Sequence, residues 1–383
     1  MRIALLMPIG HARGGAERLF QHLLDELPDS SLDAHVVLFE EGDIADKARA
    51  AGLTLTVLPT GRLRQVRSAV RVVTSLTDLL IASDIDLVVS WMTKAHLYGG
   101  PAARRAGIPA VWYQHGVPDR FDLVTRLATL LPAEGILACS EPIRNAQALL
   151  MPRRPVHTVE PCVDLDRFDP ALLPSPSEAR RELDLPEKGP LFGIFGRMQA
   201  WKGIHVFVEA MAHVREIEPS AHGVIVGGEH PLEAGYTARI DRQIRRLGLE
   251  GHVRRVGFQS NVPTWMQAMD VIVHASDYEP FGMVIIEAMA IGKPVIAGAE
   301  GGPATIITDG VNGLLSPYGD AVALADRMIS LVRERSRTDA IAAAAQQRAR
   351  DFSQNAFLRR FEDALHAIVP APRRSPVAPP VSV

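Results

Sequence analysis

Short apolar runs recur along almost the whole chain, each followed by a stretch of helical periodicity, and this alternation restricts the fold more than any other feature. In the first half the runs are Ile3–Met7, His35–Phe39, Leu87–Ser90, Ala110–Tyr113 and Gly135–Cys139. In the second half they are Leu191–Phe195, Gly223–Val226, Val253–Val256, Val271–His274 and Pro294–Ala297. Strands that are apolar on both faces belong in parallel sheets covered by helices, and strand–helix alternation builds βαβ units. The expected fold is therefore α/β, doubly wound, and formed twice. A length of 383 residues fits two domains. Between Pro161 and Pro190 the prolines Pro161, Pro170, Pro174, Pro176, Pro186 and Pro190 interrupt apolar periodicity. The division expected is an N-terminal Rossmann-like domain over 1–165, a linker over 166–189 with a short helix near Ser177–Leu183, and a C-terminal domain over 190–354. A last helix over 355–370 is expected to pack back toward the N-terminal domain, and the proline-rich tail over 371–383 to be disordered.

Composition excludes several functional classes. With 47% apolar and 22% charged residues and a net charge of −3, nothing global attracts nucleic acid. Cys139 and Cys162 lie far apart, outside any CxxC spacing, which excludes a disulfide scaffold and a cysteine zinc site and fits a reducing compartment. The opening MRIALLMPIGHARGG reads as a first strand rather than a signal peptide. No run reaches the roughly 18 apolar residues of a membrane span. A cytoplasmic protein is expected, with peripheral contact at the inner face of the membrane as a further option.

Three segments carry chemistry. In HASDYEPFGMVIIEAMAIGKPVIA, residues 274–297, a strand ends at His274, a loop holds Glu279 and Gly282, and a helix opens near Val284 with Glu287 in its first turns. A carboxylate just past the carboxyl end of a parallel strand sits where open α/β sheets bind ligands. The amides of Gly282 and Met283 offer a phosphate site, and Glu287 can accept from both hydroxyls of a ribose. Taken singly, Glu279 reads sooner as a solvated loop charge and Glu287 as a partner of the helix dipole. In FGRMQAWKGIHVF, residues 195–207, Arg197 and Lys202 flank a strand-to-helix loop and can converge on a diphosphate, although no Walker A pattern is present. In GHARGGAERLF, residues 10–20, Gly14 and Gly15 permit close backbone approach after the first strand.

Together these segments resemble glycosyltransferase family four, the large retaining family of GT-B fold, in which two Rossmann-like domains face each other across a cleft. The resemblance covers nearly the whole chain. It rests on the E-x7-E spacing Glu279-PFGMVII-Glu287, the Gly-Arg…Lys-Gly loop, the GGAER loop and the VHASDYEPFG lead-in. It implies a hexosyltransferase that takes a UDP- or GDP-sugar as donor and a glycan, lipid-linked or small-molecule hydroxyl as acceptor, with no cofactor and no catalytic metal. Arg197 and Lys202 would bind the donor diphosphate, Glu279 would sit beside the transferred sugar, and Glu287 would bind the ribose. Gly282, Met283 and Val284 would give backbone contacts, Gly15 would approach the diphosphate, and Gly227-Gly228 with Phe258-Gln259 would frame the base. His115, ending the run VWYQH, matches the family's histidine near the sugar; as one of 13 histidines it also reads as an ordinary rim residue. One departure stands out. Where the family often carries a glutamate in the GGP-x-E stretch, this chain has EGGPATII with Ala304 and Thr305, which loosens any inference about the donor sugar.

Competing readings are weaker. A retaining glycosidase would use the two glutamates but leave Arg197 and Lys202 without a role. A non-catalytic nucleotide-sugar sensor would not need Glu279 or His115, and a phosphorylase of this fold needs a longer chain. Asp84-Ile85-Asp86 resembles a metal-binding DxD but precedes its strand instead of ending it. Finally, residues 63–78 read as an amphipathic helix with Val66, Ala69, Val70, Val73 and Leu76 on one side and Arg64, Arg67 and Arg71 on the other. The arginine side is either a solvated face or a contact for an anionic acceptor or membrane.

Overall fold

The structure, a computed structural model, describes residues 1–61 and 66–369. The tail 371–383 and Arg64 lie outside the described residues. Among the described residues two compact units form: one from Met1–Cys139, Ile143–Glu160 and 357–369, the other from Ser140–Pro142 and Pro161–Ala356.

The first unit holds a seven-stranded sheet: β1 Arg2–Met7, β2 Asp33–Leu38, β3 Thr54–Val57, β4 Leu87–Trp91, β5 Ala110–Gln114, β6 Gly135–Ala138 and β7 Val156–Thr158. Their order is β3-β2-β1-β4-β5-β6-β7, and every pairing is parallel. The second unit holds β8 Leu191–Phe195, β9 His222–Val226, β10 Val253–Gly257, β11 Val271–His274, β12 Val295–Gly298 and β13 Leu314–Ser316, all parallel in the order β10-β9-β8-β11-β12-β13. In both sheets the strand order reverses beside the first strand of the unit, at β1/β4 and at β8/β11. Those are the two switch points where a doubly wound sheet leaves a crevice beyond its carboxyl ends.

Segment 161–189 folds as part of the second unit. Ser175 caps helix Pro176–Glu182 in a reciprocal capping box with Glu178. From that helix Arg180 donates to the Ala268 carbonyl at 2.9 Å and to Asp270 at 2.7 Å. Helix Gln354–Ile368 brings Phe357, Phe361 and Leu365, all buried, into the first unit, where the Phe361 ring lies 6.2 Å from that of Trp91. Asp86 of the DxD-like triplet accepts from the Arg2 amide at 2.7 Å, so it fastens β4 beside β1. Among the described residues no helix is long and apolar enough to cross a membrane.

The amphipathic helix expected over 63–78 runs from Val66 to Ala82, and its faces differ from the expectation. Val70 is exposed beside Arg67 and Arg71, whereas Val72, Leu76 and Leu80 are buried. Those three positions, spaced by four, form the inward stripe, so the real boundary lies rotated from the one drawn by hydrophobicity alone.

In the first unit His96 is fully buried and stacked on Trp112, with planes 4° apart and centroids at 5.1 Å. Burial, with the nearby charge of Arg154 adding to it, pulls its pKa from 6.5 to about 3. A histidine that is neutral when folded and protonated when unfolded favours unfolding as the pH falls. Stability should therefore decline between about pH 6.5 and 3, by about 1.4 kcal/mol per pH unit for this one proton. In His96→Phe that acid slope is expected to flatten while stability at pH 7.5 changes by less than about 1.5 kcal/mol. Urea midpoints measured from pH 4 to 7.5 check this, and an unchanged slope would refute it.

Candidate functional site

In the second unit the predicted donor residues follow one another along the sheet. Strands β10, β9, β8 and β11 are neighbours, and the loops leaving their carboxyl ends carry Phe258, then Gly227-Gly228, then Arg197 and Lys202, then Glu279 and Gly282. With about 4.8 Å between strands, this row spans about 14 Å. It presents in order an aromatic ring, bare backbone, two cations and a carboxylate.

Each position has a local cause. After β8 the chain turns through Arg197, and Met198 donates to the Gly228 carbonyl at 2.9 Å, which holds the β8 loop against the β9 loop. A side chain at Gly227 would fall on the Gly196 carbonyl, so glycine there permits this approach. Phe258 is 65% exposed, next to Gly228. Arg197 is exposed and makes no ion pair among the described residues. Lys202 ends the short turn Ala200–Lys202 and runs back across Gly196, its Cδ 3.6 Å from where a Gly196 Cβ would lie. The next residue, Gly203, has φ +68° and packs on the Ala275 carbonyl of the loop after β11, which ties the two loops together.

Unlike Arg197, Lys202 is not an exposed loop cation. Its side chain is 15% exposed and its ammonium lies 2.6 Å from Glu279 and 4.0 Å from the centre of the Trp201 ring. Glu279 also receives the His274 Nε2 at 3.1 Å. Burial alone would raise the Glu279 pKa, but the Lys202 charge and the His274 hydrogen bond outweigh it and hold the carboxyl well below the usual carboxylate range. Glu279 is thus a buried, ionised group instead of a solvated loop charge, and it is the reverse of the raised-pKa acid that a glycosidase requires.

The backbone of Glu279 is fixed too. It bridges Gly301, and its carbonyl accepts from the Gly302 amide at 2.8 Å. Ser140 donates to the Pro280 carbonyl at 2.6 Å. The glycine pair of EGGPATII therefore supports the loop that carries Glu279. Gly282 is the N-cap of helix Met283–Ile291, with no side-chain cap, so amides at this end are open to an anion. From Ile285 to Ile291 the helix is buried all round, and Glu287 is buried in it. It is the one charged residue of that helix, held among apolar neighbours.

Ser140, Trp201, His274 and the Gly301-Gly302 pair went unassigned at the level of sequence. His274 had a signal, because it is a polar residue closing an otherwise apolar strand five residues before Glu279. Ser140 had none, since its partner is distant in sequence.

Gly15, His115, Arg67 and Arg71 belong to the first unit. Gly15 opens helix Gly15–Glu26 beyond β1, next to the switch point, and Trp91 at the end of β4 donates to the Ala16 carbonyl at 3.0 Å. The Glu17 carboxylate folds back over Gly14, so the amino end of this helix already has an anion near it. His115 follows β5, its ring 4.0 Å from that of Tyr113 and 4.8 Å from that of Trp91. Burial lowers its pKa to about 3, which keeps the imidazole neutral. Among the described residues no group of three His, Cys, Asp or Glu side chains is placed to hold a metal ion.

The family description "Glycosyl transferases group 1" matches residues 176–348, and "Glycosyltransferase Family 4" matches residues 13–167. A D-inositol 3-phosphate glycosyltransferase of Salinispora tropica is 35% identical over 207 residues, covering 52% of this chain and 43% of the relative. The lipopolysaccharide core biosynthesis mannosyltransferase LpsB of Rhizobium meliloti is 28% identical over 183 residues, 47% of this chain and 52% of the relative. The chain spans about half the length of the curated relatives it matches. Among solved structures, Anabaena HepE in complex with UDP-glucose superposes with a TM-score of 0.84 at 26% identity, covering 96% of this chain and 100% of that one. A sucrose-phosphate synthase of Thermosynechococcus elongatus shares the fold at a TM-score of 0.80 and 20% identity, with 96% and 98% covered. With two parallel α/β units and matches to both family descriptions across 13–167 and 176–348, the chain belongs to glycosyltransferase family four and has the GT-B fold.

Proposed function

We propose that this protein transfers a hexose from a nucleoside-diphosphate sugar to an acceptor hydroxyl, with retention at the anomeric carbon and without a catalytic metal. The observation that carries the reading is the row of loops at the β8/β11 switch point, ending in exposed Arg197 and the Lys202–Glu279 pair. Phe258 and the Gly227-Gly228 backbone suit a base, Glu287 a ribose, and Arg197, Lys202 and the amides of Gly282, Met283 and Val284 a diphosphate. Glu279, held ionised, suits the flank of a sugar whose anomeric carbon gains positive charge. In the reaction the bond from that carbon to the diphosphate breaks with its electron pair going to the diphosphate. The acceptor oxygen bonds to the carbon, and its proton leaves with the nucleoside diphosphate. Cations already in place stabilise the departing charge without reorganising. His115 and Gly15 keep the roles that the family resemblance gives them. The solved HepE complexes hold UDP and UDP-glucose, which makes a uridine donor the first to test. For the acceptor, relatives named for inositol phosphate and for lipopolysaccharide core favour a phosphorylated or lipid-linked hydroxyl at the cytoplasmic face of a membrane.

A thermal-shift series with UDP, GDP and ADP tests the donor. At 100 times its dissociation constant a ligand adds about 2.7 kcal/mol, a rise of roughly 5–10 °C for a unit of this size. UDP is expected to give the largest rise, and transfer from the UDP-sugar is expected to persist in EDTA. No shift with any of the three would overturn the reading.

A further inference from the structure

In the first unit, helix Leu123–Leu130 is built inside out. Its buried positions are Thr125, Ala128 and Thr129, while Leu123 is 75% exposed, Val124 44%, Leu127 54% and Leu130 75%, and Phe121 just before it is 77% exposed. At 100° per residue Leu123, Leu127 and Leu130 fall within about 60° of arc, so they make one continuous stripe. The inward hydroxyls are fully occupied. Thr125 donates to Asp122 at 2.7 Å, Thr129 donates to the Thr125 carbonyl at 2.9 Å, and Gln147 donates to the Thr129 hydroxyl at 2.9 Å. A helix that only filled space would turn its leucines inward and its threonines out. This one is anchored by polar contacts and displays its apolar side.

The surroundings indicate what covers that face. Arg126 lies on the exposed side of the helix, and the Arg120 guanidinium sits over the Phe121 ring at 4.7 Å. Of the acids near the face, two are turned to their own backbone: Asp119 accepts from the Phe121 amide at 2.8 Å, and Asp122 from the Val124 and Thr125 amides at 3.1 and 3.0 Å, while Glu134 lies by Arg154. Arg154 donates to the Leu131 carbonyl at the end of the helix. Between Gln147 and Arg154, the two residues that anchor onto this helix, the chain exposes Leu149, Met151 and Arg153. Leucines and phenylalanine with arginines among them are the composition of a surface that enters the headgroup layer of an anionic bilayer. A second copy of the chain is the poorer fit, because a stable protein interface engages roughly 20–30 residues a side and this face offers far fewer.

We propose that Phe121 and helix Leu123–Leu130 dock the protein on an anionic phospholipid bilayer, in place of the arginine face around Arg67 and Arg71. This deepens the proposed transfer by setting its acceptor at a membrane, and it rests on that reading for its purpose but not for its test. The test is co-sedimentation of the full chain with vesicles of phosphatidylcholine alone or with 30% phosphatidylglycerol. The wild type should bind the mixed vesicles, and Leu123→Ser/Leu127→Ser/Leu130→Ser should bind at least tenfold less, with its thermal shift by UDP unchanged. Arg67→Ser/Arg71→Ser should bind as the wild type does, and Phe121→Trp should shift its emission to the blue on vesicles. Equal binding by the triple-serine variant overturns the proposal. So does absence of wild-type binding, and so does a wild-type dimer that the triple-serine variant dissociates. A missing UDP shift with vesicle binding intact would overturn the donor reading alone.

Discussion

Lys202→Ala is expected to lower kcat by about 10²-fold or more and also to destabilise the protein, whereas Arg197→Ala should show the kinetic loss alone. On the proposed reading both variants remove a cation beside the departing diphosphate, and loss of one preorganised donor of that kind typically costs about 10²–10³ in rate. They part company in the free protein. Arg197 is exposed, while Lys202 neutralises a Glu279 carboxylate whose side chain is only 10% exposed. Breaking a buried pair from one side strands the other charge, at about 3–5 kcal/mol. Lys202→Ala/Glu279→Ala should therefore recover most of the lost stability and none of the rate. Denaturant midpoints and single-turnover rates on the three variants and the wild type separate the effects. Near-wild-type rates in both single variants would remove the diphosphate assignment.

Glu279→Gln and Glu287→Ala are expected to fail in opposite ways. On the proposed reading Glu279→Gln keeps the shape beside the sugar and removes the charge, so kcat should fall by about 10²-fold with the affinity for free UDP nearly unchanged. Glu287→Ala should weaken UDP by about 10–100-fold, the range of a hydrogen bond to a charged group. Calorimetry with UDP reads this directly, and the opposite ranking would exchange or cancel the two roles. Glu279 carries a pH signature as well. Its pKa is depressed in the fold by Lys202 and His274 against the opposing effect of burial, so its contribution to stability is present above the ordinary carboxylate pKa. That contribution is lost as the pH falls below about 4.3, and Glu279→Gln should flatten this part of the acid limb.

How much of this was legible depended on where each element sits. The ten strands read from sequence include every interior strand of both sheets, since these are covered on both faces and must be continuously apolar. Thr54–Val57, Val156–Thr158 and Leu314–Ser316 were missed, and all three are sheet edges. An edge strand is short and half covered, so its sequence loses the continuous run. At the site, residue types that carry charge or free backbone were visible from their spacing to the strand ends. What could not be read was the state of those charges. Nothing in FGRMQAWKGIHVF tells Lys202 from Arg197, because the difference is made by Gly196 and Gly203 allowing the β8 loop to close on the β11 loop. Helix Leu123–Leu130 was passed over for a related reason, since its apolar content looks like core until Thr125 and Thr129 are seen facing inward.

The first unit takes its last helix from residues that follow the whole of the second, and this orders events during synthesis. Gly135 on β6 has no side chain where Ile368 packs, and Phe357, Phe361 and Leu365 are buried in the same unit. Until these arrive, the first sheet leaves part of an apolar face bare to water. The ribosome meanwhile adds residues 161–356. At about 5–20 residues per second those roughly 200 residues take about 10–40 s. The nascent N-terminal sheet must stay in solution for that interval, so the first part made is the last to be finished.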